Sequence, residues 1–398
     1  MKFQKMQTRN KIIFINQSSE LYGSDKTLLD LVIGLKYNYN IDPIVIMQQP
    51  GLLNLELDKY NIEYHYIPVL KLHKKMFSIN YLFGLAKDSI LSVLKLRKIV
   101  KQNNVELIYT NAFSVMLGNA YAFWFKTNHI WHCHEIIHSP KIFVMIYHQL
   151  IKSRLVDTVI YNSKSTMDCW VKGSQKIANK ANLVYNGINL DTKLESQNDI
   201  KILRQTIFPK INESTLIYGN IGRISDRKGI EILIDAFHLI HKKNNDTRLL
   251  FVGSPAPGKE DFLSKMIAKI KVYDIENKVV FIPFANNVFQ YWQAIDIAVI
   301  PSKEPESFGL VAIEAMLTKK PVIVSNHGGL AEIVEENVTG YKFEPNDLNS
   351  LTQAMSKLLD DQEKRQSFGE SGLQRVQTMF SIDKYTNGVH QICKKYLT

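Results

Sequence analysis

Residues 301–345 read PSKEPESFGLVAIEAMLTKKPVIVSNHGGLAEIVEENVTGYKFEP. An apolar run over residues 295–300 stops at Pro301, and a polar loop with Glu304 and Glu306 follows. Ser307, Phe308 and Gly309 then open a helix-patterned segment that continues through Leu310 and carries Glu314. On one continuous helix, Glu306 and Glu314 would stand about 12 Å apart along the axis. Here one lies in the loop and the other on the second helical turn. The helix N-terminus between them offers free N–H groups and partial positive charge. That layout suits an anion flanked by hydroxyl-bearing groups, and a ribose–diphosphate–sugar has that shape.

Apolar runs of four to eight residues recur on both sides of this segment. In the second half they fall at 215–222, 248–253, 278–282, 296–300 and 321–325, with helix-patterned stretches between them. In the first half they fall at 11–16, 43–47, 62–67, 106–110, 129–133, 158–162 and 182–188. Such alternation predicts parallel sheets covered on both faces. The chain is therefore read as two doubly wound, Rossmann-like α/β domains facing across a cleft, 1–189 and 190–378, with a helical tail over 379–398. A length of 398 residues, 45% apolar and 22% charged, fits an ordinary globular protein of two domains. Cys133, Cys169 and Cys393 are odd in number and widely spaced, which points to a reducing cytoplasm. The N-terminus is polar and basic and carries no signal-peptide pattern, and the apolar stretch 112–125 is too short to span a bilayer.

The net charge of +11 falls wholly within residues 1–190. An anionic surface is one partner such asymmetry suits; a solvated basic face is the other reading. Segment 71–101 concentrates it, with Lys71, Lys74, Lys75, Lys87, Lys95, Arg97, Lys98 and Lys101 against Asp88 alone. Leu82, Ala86, Ile90, Val93, Leu96 and Val100 recur there at helical spacing, with Phe77, Tyr81 and Phe83 near its start. It reads either as a crossover helix with a basic outer face or as peripheral contact with an anionic membrane. No nucleic-acid-binding motif accompanies it.

Three further motifs carry chemistry. Gly219, Gly222 and Arg223 end one apolar run, and Lys228 and Gly229 precede a helix. Arginine binds two phosphate oxygens at once and lysine supplies a point charge, a pair that can neutralise a diphosphate without metal. The spacing is not the dinucleotide G-x-G-x-x-G. His132-Cys133-His134-Glu135-Ile136-Ile137-His138 contains H-E-x-x-H, the pattern of a zinc hydrolase using His134, Glu135 and His138. That pattern needs one helix face, whereas His134 ends a strand-like run and Pro140 follows closely. His134 at a strand's carboxyl end is the preferred reading. Tyr22-Gly23-Ser24-Asp25-Lys26 follows the first run. Gly23 would let backbone approach a ligand there, and an ordinary helix cap explains it equally well.

Taken together, these motifs resemble the retaining glycosyltransferases of family 4, which share the GT-B fold. The resemblance runs along essentially the whole chain and is strongest at 218–237 and 301–345. It rests on E-x7-E (Glu306 to Glu314), on GG-x-x-EIV-x-x-x-x-TG (Gly328 to Gly340), on Arg223 with Lys228, and on HCHE. Gly23 departs from the commoner double-glycine form, Ser24 replacing the second glycine. The resemblance implies transfer of a sugar from a nucleotide diphosphate donor, with retention, to a glycan or lipid-linked acceptor in cell-surface polysaccharide synthesis. It implies no cofactor and no metal. Glu306 and His134 would meet the donor sugar, Glu314 the ribose, and backbone N–H groups of Phe308, Gly309 and Leu310 the sugar and phosphate. Arg223 and Lys228 would stabilise the departing diphosphate. Ser307, Gly222 and Gly23 belong to the same donor site, and Ile282, Pro283 and Phe284 are expected near the base. The last helix would cross back onto the first domain. A same-fold nucleotide-sugar epimerase remains a related alternative, and the expected location is cytoplasmic, peripheral on the inner membrane face.

Overall fold

The structure is a computed structural model and describes residues 9–21, 23–71 and 79–398, with residues 79–87 as backbone only. Its first sheet comprises β1 (Asn10–Asn16), β2 (Ile41–Met47), β3 (Glu63–Tyr66), β4 (Leu107–Asn111), β5 (Asn128–Cys133), β6 (Thr158–Tyr161) and β7 (Ala181–Leu183). The second comprises β8 (Leu216–Ile221), β9 (Thr247–Val252), β10 (Val279–Ile282), β11 (Ile297–Ile300), β12 (Val322–Ser325) and β13 (Gly340–Phe343). Neighbouring strands in both sheets pair in parallel. Continuous apolar runs make these strands because both faces are covered: Ile12, Ile13, Phe14 and Ile15 are all fully buried.

The strand orders are β3-β2-β1-β4-β5-β6-β7 and β10-β9-β8-β11-β12-β13. Each order reverses once, between β1 and β4 and between β8 and β11. At such a reversal the following connections diverge to opposite faces and leave a crevice at the strands' carboxyl ends. Each sheet therefore has one topologically favoured ligand position.

The chain divides into two compact units, residues up to Gly187 with Ile382–Thr398, and Ile188–Ser381. In the first unit the last helix, Ile382–Cys393, buries Tyr385, Val389 and Ile392 in a core shared with Leu28, Leu31 and Leu35 of helix Gly23–Asn38. The opposite face packs Val93, Leu96 and Ile99 of helix Ile79–Asn103 beside Leu117 and Tyr121. Phe237, Phe251, Leu351, Met355 and Leu358 centre the main cluster of the second unit.

Two sequence readings shift. The seventh run was expected over 182–188, but the strand ends at Leu183, and the chain leaves the sheet before the Asn186-Gly187 turn. β13 was not anticipated: it is a four-residue edge strand that opens on a glycine, too short to show a pattern. Tyr22, Lys74, Lys75 and Phe77, together with the side chains of Tyr81, Leu82, Phe83, Ala86 and Lys87, lie outside the described residues.

Candidate active site

At the second sheet's reversal, two loops meet backbone to backbone. After β8 come Gly222 and Arg223, then a single 3-10 turn, Asp226–Lys228, and Gly229, with φ of 67°. After β11 come Pro301, Ser302 and Lys303, whose N–H donates to Arg227 O at 2.8 Å. A Cβ on Gly229 would stand 1.8 Å from Pro301 O, so the contact requires glycine for its space as well as its left-handed φ.

That contact brings Lys228 Nζ to 2.7 Å from Glu306 Oε1. The Ser302 hydroxyl also donates to Glu306, and Ser302 O lies 2.9 Å from His327 Nε2. Glu306 O accepts from Gly329 N at 2.7 Å, which ties the loop to the chain after β12. The Glu306 side chain is only 17% accessible. Burial alone would push its pKa up; the charge and hydrogen bond of Lys228, with Ser302 and His327, outweigh burial and hold it below the usual carboxylate value.

Beyond this pair, Ser307 and the buried Phe308 lead to Gly309, with φ of 118°, and Leu310 opens helix Leu310–Leu317. Glu314 sits on its second turn, where Trp292 Nε1 donates to Oε2 at 3.2 Å. The two glutamates thus flank a helix N-terminus, as their spacing predicts.

The β9 and β10 loops reach the same end of the sheet. Gly253 N donates to Ile282 O at 2.8 Å, Ile224 N to Ser254 O at 3.1 Å, and Phe284 N to Ser254 Oγ at 3.0 Å. A Cβ on Gly253 would lie 1.9 Å from Gly222 O. Arg223 and the 282–284 loop are thereby brought together, with Pro283 between Ile282 and the 56% exposed ring of Phe284. Sequence reasoning missed Gly253, Ser254, Ser302, His327 and Trp292. A glycine closing an apolar run, the signal that marked Gly222, was equally present at Gly253; nothing local marks Trp292.

At the first sheet's reversal the groups are chiefly amides and imidazoles, of which Asn16, Asn111 and His132 are fully buried. Asn16 ends β1 and Asn111 ends β4, in register with one another and with His132 of β5. His134 Nε2 lies 2.7 Å from Asn111 Oδ1, and Asn162 Nδ2 lies 3.5 Å from His134 Nδ1. Burial lowers the His134 pKa to about 4, so the ring is neutral at physiological pH. Gly23 opens helix Gly23–Asn38, and the next residue's carbonyl accepts from Asn111 Nδ2 at 3.3 Å. The structure therefore brings Gly23 and His134 to one place through Asn111, which the sequence did not single out.

The zinc-hydrolase pattern is corrected. Residues 134–138 form no helix, and His138 is exposed. Glu135 is occupied instead: Phe113 N and His134 N donate to its Oε2 at 3.2 and 3.0 Å. Burial outweighs those bonds and raises its pKa to about 7. Among the described residues no group of three His, Cys, Asp or Glu could hold a metal.

Residues 60–192 match the model for Glycosyltransferase Family 4, and residues 204–375 match that for Glycosyl transferases group 1. The chain belongs to this family of glycosyltransferases. It is 31% identical over 226 residues to an uncharacterized glycosyltransferase of Methanocaldococcus jannaschii, a match covering 55% of each chain. It is 27% identical over 253 residues to the capsular polysaccharide biosynthesis glycosyltransferase CapM of Staphylococcus aureus, covering 62% of this chain and 64% of that one. The match thus spans between half and two thirds of these relatives. Anabaena HepE, solved in complex with UDP and glucose, superposes with a TM-score of 0.82 at 24% identity, over 97% of this chain and 100% of that one. Its likeness, with the two parallel sheets, makes the architecture GT-B.

Proposed function

We propose that this protein transfers a sugar from a nucleotide diphosphate donor to a glycan or lipid-linked acceptor in the synthesis of a cell-surface polysaccharide, such as a lipopolysaccharide O-antigen, capsule or exopolysaccharide. The observation that carries this reading is the Lys228–Glu306 pair beside a helix N-terminus at the β8/β11 reversal. An ammonium has three N–H donors, and one reaches Glu306, so others can meet a phosphate. Lys228, Arg223 and the N–H groups of Phe308, Gly309 and Leu310 would then stabilise charge as the diphosphate leaves. Glu306, held ionised by Lys228, would accept from sugar hydroxyls, and Glu314, braced by Trp292, from the ribose. Ser307 and Gly222 line the phosphate path, and Ile282, Pro283 and Phe284 face the base. His134 and Gly23 would hold the sugar from the first unit. The reading includes retention of configuration and no metal requirement. CapM supports the polysaccharide class, and HepE, with its bound UDP, supports a nucleotide donor.

The acceptor side of the reading includes peripheral contact with an anionic bilayer on the cytoplasmic side. Ile90, Leu91 and Leu94 of helix Ile79–Asn103 are 54%, 48% and 54% exposed, and Lys95, Lys98 and Lys101 continue the exposed face. Among the described residues no helix is long and apolar enough to cross a membrane. Apolar groups beside cations suit a headgroup surface, and the basic first half supplies long-range attraction.

The test is a thermal-shift screen with UDP, GDP, ADP and TDP, followed by transfer assays with the sugar donors of whichever nucleotide binds. Saturation at about 100 times the dissociation constant adds about 2.7 kcal/mol of stability. Lys228→Ala and Glu306→Ala should each lower kcat about 10²- to 10³-fold. Undiminished turnover in both would sink the assignment, and an epimerised free nucleotide sugar as product would select the epimerase alternative.

A further inference from the structure

The buried polar groups behind His134 form a line whose direction is determined at its far end. Ser18 Oγ and Asn16 Nδ2 donate to the two oxygens of Asp25, at 2.5 and 2.8 Å. A carboxylate only accepts, so Asn16 must turn its NH2 group toward it and its Oδ1 away. That Oδ1 accepts from Asn111 Nδ2 at 2.9 Å, which turns Asn111 Oδ1 toward His134 Nε2 at 2.7 Å. The remaining amide protons give the same orientation independently. Asn16 Nδ2 also donates to Ser18 O at 2.8 Å, and Asn111 Nδ2 to Ser24 O at 3.3 Å, two carbonyls that cannot donate. Asp25, Asn16 and Asn111 are each completely buried, so water does not compete for these bonds.

We infer that Asp25, Asn16 and Asn111 are a positioning relay: they hold His134 in one orientation as the Nε2-protonated tautomer and leave Nδ1 as the ring's acceptor for a hydroxyl of the bound sugar. None of the three needs to touch a substrate. Asn111 acts on the ring directly, Asn16 and Asp25 through it. The low pKa of His134 fits this role, because a charged imidazole would have no acceptor to offer. A sugar hydroxyl meeting Nδ1 is a stronger donor than Asn162 Nδ2 at 3.5 Å. The sugar-hydroxyl clause rests on the glycosyltransferase reading; the tautomer clause does not.

The two clauses have separate readouts. Long-range 1H–15N spectra of histidine-labelled protein, with His134→Gln to assign the ring, should show protonated Nε2 and unprotonated Nδ1 from pH 6 to 8. Asp25→Asn retains side-chain shape and lies three residues along the relay from the ring. It should broaden His134 into a tautomer mixture or move its titration upward, and Asn111→Leu should do so more strongly. A wild-type ring protonated at Nδ1, or a His134 signal unmoved in both folded variants, overturns the relay. With an active donor, Asp25→Asn should lower kcat about tenfold with donor KM changed less than about threefold, and Asn111→Leu up to a hundredfold. A relay confirmed by the spectra with kcat unaltered would reject the sugar-hydroxyl clause alone. If no donor turns over at all, the spectra still decide the tautomer.

Discussion

The two sheets solve one topological problem with opposite electrostatics. At the β8/β11 reversal the chain places an ion pair, Lys228–Glu306, on loops that touch through a glycine. At the β1/β4 reversal it places uncharged amides and an imidazole, with the Asp25 carboxylate behind them. The charged site can meet a diphosphate, whose charge changes as it leaves. The neutral site can orient hydroxyls, which need fixed donors and acceptors rather than net charge. Two crevices of the same topology thereby offer different chemistry, one matched to charge and the other to fixed hydrogen-bond geometry.

The largest break in this comparison is expected at Gly229. Gly229→Val adds left-handed strain and drives a branched side chain into Pro301 O, which should cost the second unit about 4 kcal/mol. Trp292 is that unit's only tryptophan, so a urea titration of variants retaining it alone would report the loss, seen as a lower midpoint. A midpoint unchanged within error would mean the two loops do not need to touch.

The next effect belongs to the first unit and to acid. His129 is fully buried; its Nδ1 donates to Leu155 O at 2.7 Å and its Nε2 accepts from Thr110 Oγ1 at 2.9 Å. Burial lowers its pKa to about 4 against an ordinary 6.5, so the folded state binds fewer protons than the unfolded one between those values. Stability from this residue is therefore complete above pH 6.5 and lost as pH falls toward 4, by about 3 kcal/mol. Glu135 runs the other way, its contribution declining as pH rises from 4.5 to about 7. Comparing wild type with His129→Gln isolates the histidine. The wild-type first-unit transition should fall more steeply on acidification than that of the variant, and equal slopes would refute the assignment.

How far each site was legible follows from how far apart in the chain its parts lie. Lys228, Gly229, Glu306 and Glu314 sit in two contiguous motifs, each just after an apolar run, so a glycine or proline closing a strand announces the loop that follows. The relay lacks such a marker. Asn16 and Asn111 are 95 residues apart, and an asparagine after an apolar run looks like any turn residue. Only the sheet order puts β1 beside β4 and makes the two amides neighbours. The strands were legible for the same local reason the first site was, as apolar runs such as 129–133 and 296–300. β13 was not, because its pairing with β12, and not its own pattern, makes Gly340–Phe343 a strand. H-E-x-x-H shows the limit of spacing, which alone does not say whether residues are helical; the strand-like run before His134 does, and β5 carries the chain out in an extended path there.

A smaller effect, with a change of sign, separates the charged site from ordinary ion pairs. In wild type the depressed pKa of Glu306 contributes stability above pH 4.5 that disappears as pH falls through its folded value. Lys228→Met removes the counter-charge and leaves burial as the dominant influence, which raises the carboxyl's pKa instead. The variant's second unit should then lose stability as pH rises from 4.5 toward 7, where the wild-type contribution of Glu306 stays level. At pH 7 it should be less stable by about 2 kcal/mol, below the range for a fully buried pair because Lys228 is 31% accessible. The neighbouring pair Arg227–Glu304, at 2.6 Å, is the control: its side chains are 70% and 56% accessible. Water and salt screen such a pair, and the side chains lose entropy in holding it. Glu304→Gln should therefore change the midpoint by the equivalent of about 0.5 kcal/mol or less, with no pH inversion. Were Glu304→Gln to match Lys228→Met in size and pH slope, the distinction between a site charge and a surface charge on this loop would fail, since two carboxylates two residues apart would then share one electrostatic role.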